Sequence, residues 1–358
     1  MLIQWIEIQD FRNYCHLTLS PEPTLNILSG PNAQGKTNLL EALGVFLVGR
    51  SFRGARTAEL ARWEAPAASL SGSVARGEVI RSLRRSVTQR EDGGWFVAGE
   101  GCSWARAVAF GWQDLGILNG GPQFRRGLLD GFAAKLQPAH LTAHARYRQI
   151  LTRRNHLLQQ GDAAALTPWD EQLAVVGVEI LARRLMAVAL LGAGVGRLYP
   201  EISGRDCAVR LEYRASFDGD LTVERFTETL ERRRAEELSR GLTLVGPHRD
   251  DLLIELDGRD MRLYGSRGQQ RLLALALRLA ETGPVEAAVG SPPVLLLDDA
   301  LSELDPEVQA RVLGHVASEG QVFLTSAESM LPGAGAATWW DVKGGQVGGM
   351  ASLVRGAA

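Results

Sequence analysis

Apolar and polar residues alternate over residues 2–8, the period of a strand with one buried face. Residues 17–19 can return beside it after the turn Phe11-Arg12-Asn13-Tyr14, so an antiparallel hairpin is expected first. Residues 25–29 form a short apolar run that reads as a buried strand, and residues 37–43 begin a helix. Three strands follow over residues 69–97, with Glu91-Asp92-Gly93-Gly94 turning the second into the third. The apolar segment 107–110 reads as an inner strand that empties into Gly111-Trp112-Gln113-Asp114.

The period changes from about residue 123. Leu141, Ala145, Ile150, Leu151, Leu157 and Leu158 recur at helical spacing up to residue 160, and Gly161 to Ala165 break the pattern. Thr167 then offers an N-cap, Pro168 a first helical position, and Asp170 and Glu171 suit the first turn. A stripe from Trp169 to Leu191 carries that helix to about residue 198, roughly 45 Å at 1.5 Å per residue. Two antiparallel helices of unequal length are expected to project as an arm, followed by a strand at 209–213 and a helix at 221–239. Residues 252–256 and 261–263 flank Asp257-Gly258, a hairpin signal. A helix over 272–281 is expected to stop at Thr282-Gly283-Pro284, and the glycine-rich tail from 344 to fray.

Composition narrows the classes. A chain of 358 residues, 45% hydrophobic and 22% charged, has room for two domains or one with an insertion. The longest apolar run, 185–195, is too short to cross a bilayer, and residues 1–10 lack a signal-peptide pattern, so a soluble cytoplasmic protein without membrane attachment is expected. Cys15, Cys102 and Cys207 fit neither a disulfide framework nor a zinc cluster. The net charge of −2 removes the global basic field that announces nucleic-acid binding. Of 39 basic residues only Lys36, Lys135 and Lys343 are lysine, so arginine clusters carry less weight than usual. The loop 49–56, with Arg50, Arg53 and Arg56, reads equally as solvated or as phosphate-contacting. Arg81, Arg84, Arg85 and Arg90 on the second of the three strands read as a solvated face before a nucleic-acid stripe.

The chemistry is concentrated in three motifs. Gly30-Pro31-Asn32-Ala33-Gln34-Gly35-Lys36-Thr37 satisfies the phosphate-loop pattern at every fixed position and sits between a strand and a helix. Its backbone N–H groups and the helix N-terminus would cradle the phosphates of a nucleoside triphosphate, Lys36 would reach the β- and γ-phosphates, and Thr37 would ligate Mg²⁺. The apolar run 294–297 ends in Asp298 and Asp299, one carboxylate for the Mg²⁺ shell and one as general base toward water. Ser266-Arg267-Gly268-Gln269 opens a helix and offers a hydroxyl, a close-approach glycine and a dipole to anionic oxygens.

This last motif resembles the signature of ABC-type ATPases, in which Ser266, Gly268 and Gln269 would bind the γ-phosphate of nucleotide held by a second copy. Ala300 to Asp305 resembles the D-loop, and Gln113 is the candidate Q-loop glutamine and Mg²⁺ contact, with Asp114 the alternative in that alignment. The expected fold class is therefore α/β, an ABC-type P-loop head built of a mixed or parallel sheet, flanking helices and antiparallel strands. The head would be discontinuous, over 1–122 and 242–358, around an inserted helical lobe with a short coiled coil at 123–241. The stretches Ile8 to Tyr14, Arg50 to Arg53, Phe124 to Asp130 and Gly246-Pro247-His248-Arg249-Asp250-Asp251 narrow the resemblance to the RecF family of bacterial DNA-repair ATPases, over nearly the whole chain.

That resemblance implies ATP-dependent homodimerisation, slow hydrolysis, and binding to DNA, single-stranded and duplex, at gaps or junctions. It also implies action with RecR and RecO to place RecA. Arg50, Arg53, Arg56, Arg81, Arg84 and Arg85 are the candidate DNA contacts, to phosphates and independent of sequence. Two positions depart from the broader ABC pattern: Asp299 stands where transporters carry glutamate, and Ser326 stands in place of the switch histidine. An ABC transporter subunit would share the motifs but has no reason for the Phe11-Arg12-Asn13-Tyr14 start or the long insertion. A Rad50 or SMC tether would need far longer coiled coils, and a monomeric hydrolase would leave Ser266 without a role.

Overall fold

The computed structural model describes residues 1–217 and 219–350. In chain order the first elements are β1 (Leu2–Phe11), β2 (Tyr14–Leu19), β3 (Leu25–Ser29), α1 (Lys36–Val48), β4 (Ala68–Arg76), β5 (Val79–Gln89), β6 (Trp95–Ala98) and β7 (Ala107–Phe110). Then come α2 (Gly116–Asn119), α3 (Pro122–Leu136), α4 (Ala139–Gln160), α5 (Thr167–Ser203), β8 (Val209–Arg214), α6 (Val223–Arg240), β9 (Asp251–Leu256), β10 (Arg259–Asp260) and α7 (Met261–Tyr264). The chain finishes with α8 (Arg267–Leu279), α9 (Thr282–Val289), β11 (Val294–Leu297), α10 (Pro306–Val316), β12 (Val322–Ser326), β13 (Thr338–Lys343) and β14 (Gln346–Met350). Two compact units result: 1–115 with 197–206 and 267–358, and 116–196 with 207–266.

The first unit holds two sheets. One is antiparallel, in the order β2-β1-β4-β5-β6, and the other runs β14-β13-β3-β12-β11-β7, parallel except for the β13–β14 hairpin. In β1 a register shift between Ile3 and Trp5 turns the strand, so Ile3 and Ile6 both face the core although three residues apart. Helix α1 packs against β4 and β5 of one sheet and β7, β11 and β12 of the other. That position explains why Leu39, Leu40, Leu43, Val45, Phe46 and Leu47 are all buried, a helix apolar nearly all round.

The second unit has its own core, shared by Tyr147 and Ile150 of α4, Leu173, Val176 and Ile180 of α5, and Phe226 and Leu230 of α6. Its sheet is β10-β9-β8. The expected two-helix arm is thus a three-helix cluster, with α6 completing the pair. Its polar centre is Arg154, which donates to Asp170 on α5 (2.6 Å), Glu237 on α6 (2.6 Å) and Thr243 (2.8 Å).

Several boundaries move for identifiable reasons. The unit borders lie at 115/116 and 266/267 rather than 122/123 and 241/242, because β9 pairs with β8 along six residues and takes its hairpin with it. Met261 to Leu263 are not a strand: the Asp260 side chain caps the Arg262 N–H and starts a helical turn. The helical stretch 123–160 is broken at Gln137-Pro138 into α3 and α4. Thr282-Gly283-Pro284 opens α9 instead of only closing α8. The tail from Gly344 pairs as β14 up to Met350, and the fraying expected beyond it lies outside the described residues.

Candidate nucleotide-binding site

The phosphate loop bridges β3 and α1. Gly30 and Gly35 take φ of 144° and 112°, and a side chain at Gly30 would run into the Val342 carbonyl, one at Gly35 into Asn13 and the Tyr14 hydroxyl. The loop is held from both sides. Tyr14 donates its hydroxyl to Gly35 O (3.0 Å), and Asn13 donates to Gln34 O (3.3 Å) while accepting from Asn38 Nδ2 (2.8 Å). From the β13–β14 turn, Gly344 N donates to Gln34 Oε1 (2.8 Å) and Gly345 N to Gln34 O (3.2 Å).

Arg12 completes the role of the Phe11-Arg12-Asn13-Tyr14 turn. Its guanidinium forks onto Glu41 of α1 at 2.8 and 3.0 Å, and Glu41, fully buried, also accepts from Ser51 Oγ (2.5 Å) and Arg53 (3.4 Å). This junction was not legible in sequence beforehand. A glutamate inside an otherwise apolar helix was its only signal.

Lys36, Thr37, Asp298 and Asp299 are brought together. Thr37 Oγ1 donates to Asp298 Oδ1 (2.8 Å), and Thr325 Oγ1 donates to the same oxygen (2.9 Å) while accepting from Asp299 N (2.8 Å). Thr325, at the end of β12, is a site residue that the sequence reading passed over for its neighbour. Lys36 Nζ donates to Gly30 O (2.5 Å) and Pro31 O (2.8 Å), leaving one of its three N–H groups to add a phosphate oxygen. Burial lowers the Lys36 pKa against the pull of Asp299 and Asp298, and burial raises that of Asp298 against its two hydroxyl donors. Ser326 turns to its own chain and accepts from Glu328 N (2.9 Å), a local turn rather than a histidine's reach.

The two Q-loop candidates separate. Asp114 is buried and locked, accepting from Arg278 at 2.6 and 3.0 Å and from Gly111 N at 2.9 Å. Gln113 donates Nε2 to Phe52 O (2.8 Å), and its Oε1 is buried with no hydrogen-bond partner. β7 lies beside β11, with Asp298 N donating to Phe110 O (2.9 Å), so Gln113 leaves the sheet next to the Asp298 strand end. The Thr37 hydroxyl and Asp298 carboxylate, 2.8 Å apart, and the orphaned Gln113 amide oxygen are all hard oxygen donors, of the kind that fits Mg²⁺.

Gly268 and Gln269 lie in the first turn of α8, and Ser266 directly precedes it. Further along α8, Arg271 donates to the Asp299 carbonyl and to Ser302 Oγ (2.6 Å), linking this helix to the D-loop segment. Neither Arg271 nor Arg278 was singled out by sequence.

The candidate DNA contacts divide. Arg50, Arg56, Arg81 and Arg84 are exposed, but Arg81 and Arg84 fall on opposite faces of β5, so no single stripe exists. Arg84 sits in one row with Glu7 and Ser71 on the outer face. Arg85 is not an external contact: it is buried, donates to Gly99 O (2.8 Å) and Phe46 O (3.4 Å), and burial lowers its pKa. Arg53 is drawn inward to Glu41 and Asn38, toward the nucleotide loop.

The profile of the RecF/RecN/SMC N-terminal domain family matches residues 2–337. The DNA replication and repair protein RecF of Heliobacterium modesticaldum is 38% identical over 343 residues, covering 91% of this chain and 92% of its own. Among solved structures, the recombination mediator protein RecF-ATPrS of the RecFOR pathway is similar at a TM-score of 0.85 and 28% identity, with 98% of each chain covered. The Smc head domain of Pyrococcus furiosus shares the fold at a TM-score of 0.55 and 16% identity, with 98% and 96% covered.

Proposed function

Because the chain belongs to the RecF family of DNA replication and repair proteins, we propose that it is a recombination mediator whose grip on DNA is switched by ATP-dependent dimerisation and released by slow hydrolysis. The observation that carries this reading is the Thr37–Asp298–Thr325 cluster under a lysine held on the phosphate-loop carbonyls, a seat for a nucleoside triphosphate with its metal.

In this reading the loop N–H groups and the α1 N-terminus bind the phosphates and Lys36 adds its remaining N–H to them. Thr37, Asp298 and Gln113 would hold Mg²⁺, which neutralises charge between the β- and γ-phosphates when bound. Asp299 takes the proton of the attacking water. Its carboxylate is exposed and tied at Oδ2 by the Ser302 hydroxyl (2.8 Å), and its reach is one methylene shorter than a glutamate's, both consistent with slow turnover. Ser266, Gly268 and Gln269 act on the nucleotide of a second copy. Exposed Trp112 beside Gln113, Tyr264 beside Ser266 and Met330 after β12 supply apolar area next to these motifs in sequence, as an interface needs. DNA at gaps or single-strand/double-strand junctions is the ligand, and RecR and RecO the partners through which RecA is placed.

Sedimentation with ATP, ADP or no nucleotide, with and without a gapped duplex, tests this. A dimer is expected with ATP alone, and Ser266→Arg should bind ATP yet stay monomeric. ATP-dependent dimers of that variant would sink the shared-site mechanism.

A further inference from the structure

Helix α4 carries no aspartate or glutamate in 22 residues. Its inner face is fixed by Ala143, Tyr147, Ile150, Leu157 and Leu158 and by the buried Arg154 with its carboxylate partners. The outer face is a different surface. Ala145, Gln149, Thr152 and His156 follow one another at helical spacing along its centre, all exposed. Arg148 flanks this line on one side and Arg146 and Arg153, two turns apart, on the other, all three exposed. Among the described residues none of these three guanidinia is in an ion pair, whereas Arg183 on α5 and Arg225 and Arg233 on α6 are paired with Glu179, Glu228 and Glu236 of their own helices. A shallow open depression of about 670 Å³ lies over Ala145, Arg148, Gln149, Thr152, Arg153 and His156.

We infer that this face of α4 is a docking surface for the phosphate backbone of duplex DNA, separate from the candidate arginines on β5 and in loop 49–56. The inference rests on the DNA-directed reading proposed above. Three unpaired guanidinia on an acid-free rigid helix, in a chain of net charge −2, are complementary to a polyanion. The face exposes no Trp, Tyr or Phe, and its apolar area is limited to Leu141 and Ala145 at one end, which disfavours a protein interface built round a central buried anchor. With His156 as its one ring, the face lacks the successive stacking platforms that a single strand uses. Arg146 and Arg153 stand about 10 Å apart along the axis, near three base-pair rises of one strand, and an α-helix matches the width of the major groove. Gln149 and Thr152 add neutral donors between the charges.

The test compares wild type, Arg146→Ala/Arg148→Ala/Arg153→Ala and the corresponding triple lysine variant, measuring affinity for a 30-base-pair duplex against salt, with ATP. Loss of three phosphate contacts should reduce the slope of log K against log salt by about 2.7, and affinity near 0.1 M salt on the order of 100-fold. The lysine variant should keep the slope, and ATP-dependent sedimentation should be unchanged in all three. An unchanged slope in the alanine variant, with wild type binding DNA, overturns the α4 assignment and leaves the function standing. A wild type that binds no DNA with any nucleotide overturns the functional reading itself. An unchanged duplex slope with loss of binding to poly-L-glutamate assigns the face to an acidic protein and equally overturns the proposal.

Discussion

The Arg271 guanidinium donates to the main-chain carbonyl of Asp299, so a residue five positions after Ser266 braces the proposed general base in its left-handed conformation, φ 51°. A non-glycine residue rests there only when its surroundings impose it. Truncation in Arg271→Ala should let Asp299 relax and lower the ATP turnover number by about 10- to 100-fold, with nucleotide affinity nearly unchanged. Single-turnover hydrolysis beside equilibrium nucleotide binding separates the two. Equal losses in both would show that Arg271 supports the whole loop instead.

Gln113 and Asp114 are neighbours with opposite expected phenotypes. Gln113→Leu removes the orphaned acceptor and should raise the Mg²⁺ needed for half-maximal turnover about 10-fold or more, while leaving the melting temperature close to wild type. Asp114→Ala strips the half-buried Arg278 of its nearest carboxylate, leaving Glu281, and should instead destabilise the first unit by about 2–3 kcal/mol. Mg²⁺ titrations and thermal melts of both variants check this.

His248 sets a pH dependence. Its Nδ1 meets the Tyr147 hydroxyl (2.8 Å) and its Nε2 the Thr243 carbonyl (3.1 Å), an arrangement that satisfies a neutral ring. Burial, assisted by the charges of Arg249, Arg126 and Arg154, lowers its pKa from about 6.5 to about 4. The unfolded chain therefore takes up the proton first, and this contribution to stability, present above pH 6.5, is lost as pH falls toward 4. At pH 5 the loss is about 2 kcal/mol. Urea unfolding at pH 7 and pH 5 should show it in wild type and show about 2 kcal/mol less dependence in His248→Gln.

Asp170 receives Arg154 at 2.6 Å and Arg234 at 2.8 Å in the core between α4, α5 and α6. Asp170→Ala should cost about 3–5 kcal/mol, because it leaves Arg154 buried with half its compensation. Circular dichroism melts read the loss directly. Replacing Arg154, Asp170 and Glu237 together by Met, Leu and Gln should recover much of it, because no charge of that cluster is then left buried without its partner.

What could be read from the chain divides by range. The phosphate loop, the strand ending in Asp298 and Asp299 and the motif at Ser266 are local patterns whose chemistry is fixed by spacing, and the hairpin at the start follows from alternation. Arg85 illustrates the limit. Period 2 alone puts it on the face of Leu83 and Val87, so its burial was available in the sequence, but a charge was expected outside. Arg271, Thr325 and the Arg12–Glu41 pair were hidden because each acts on a residue more than twenty positions away. The unit border failed similarly: the Asp257-Gly258 turn is local, whereas the pairing of β9 with β8 is not.

Strand β3, which carries the phosphate loop, lies between β12 and β13, about 300 residues further along. Contacts of such range close late in folding. During synthesis, then, the loop sequence emerges early but has neither neighbour strand nor the Gly344–Gly345 clasp until nearly the whole chain is made. A stalled or truncated product carries the motif without the site. In the proposed mechanism nucleotide occupancy would thereby mark molecules in which β12, β13 and the clasp are in place, and only these would enter a shared-site dimer.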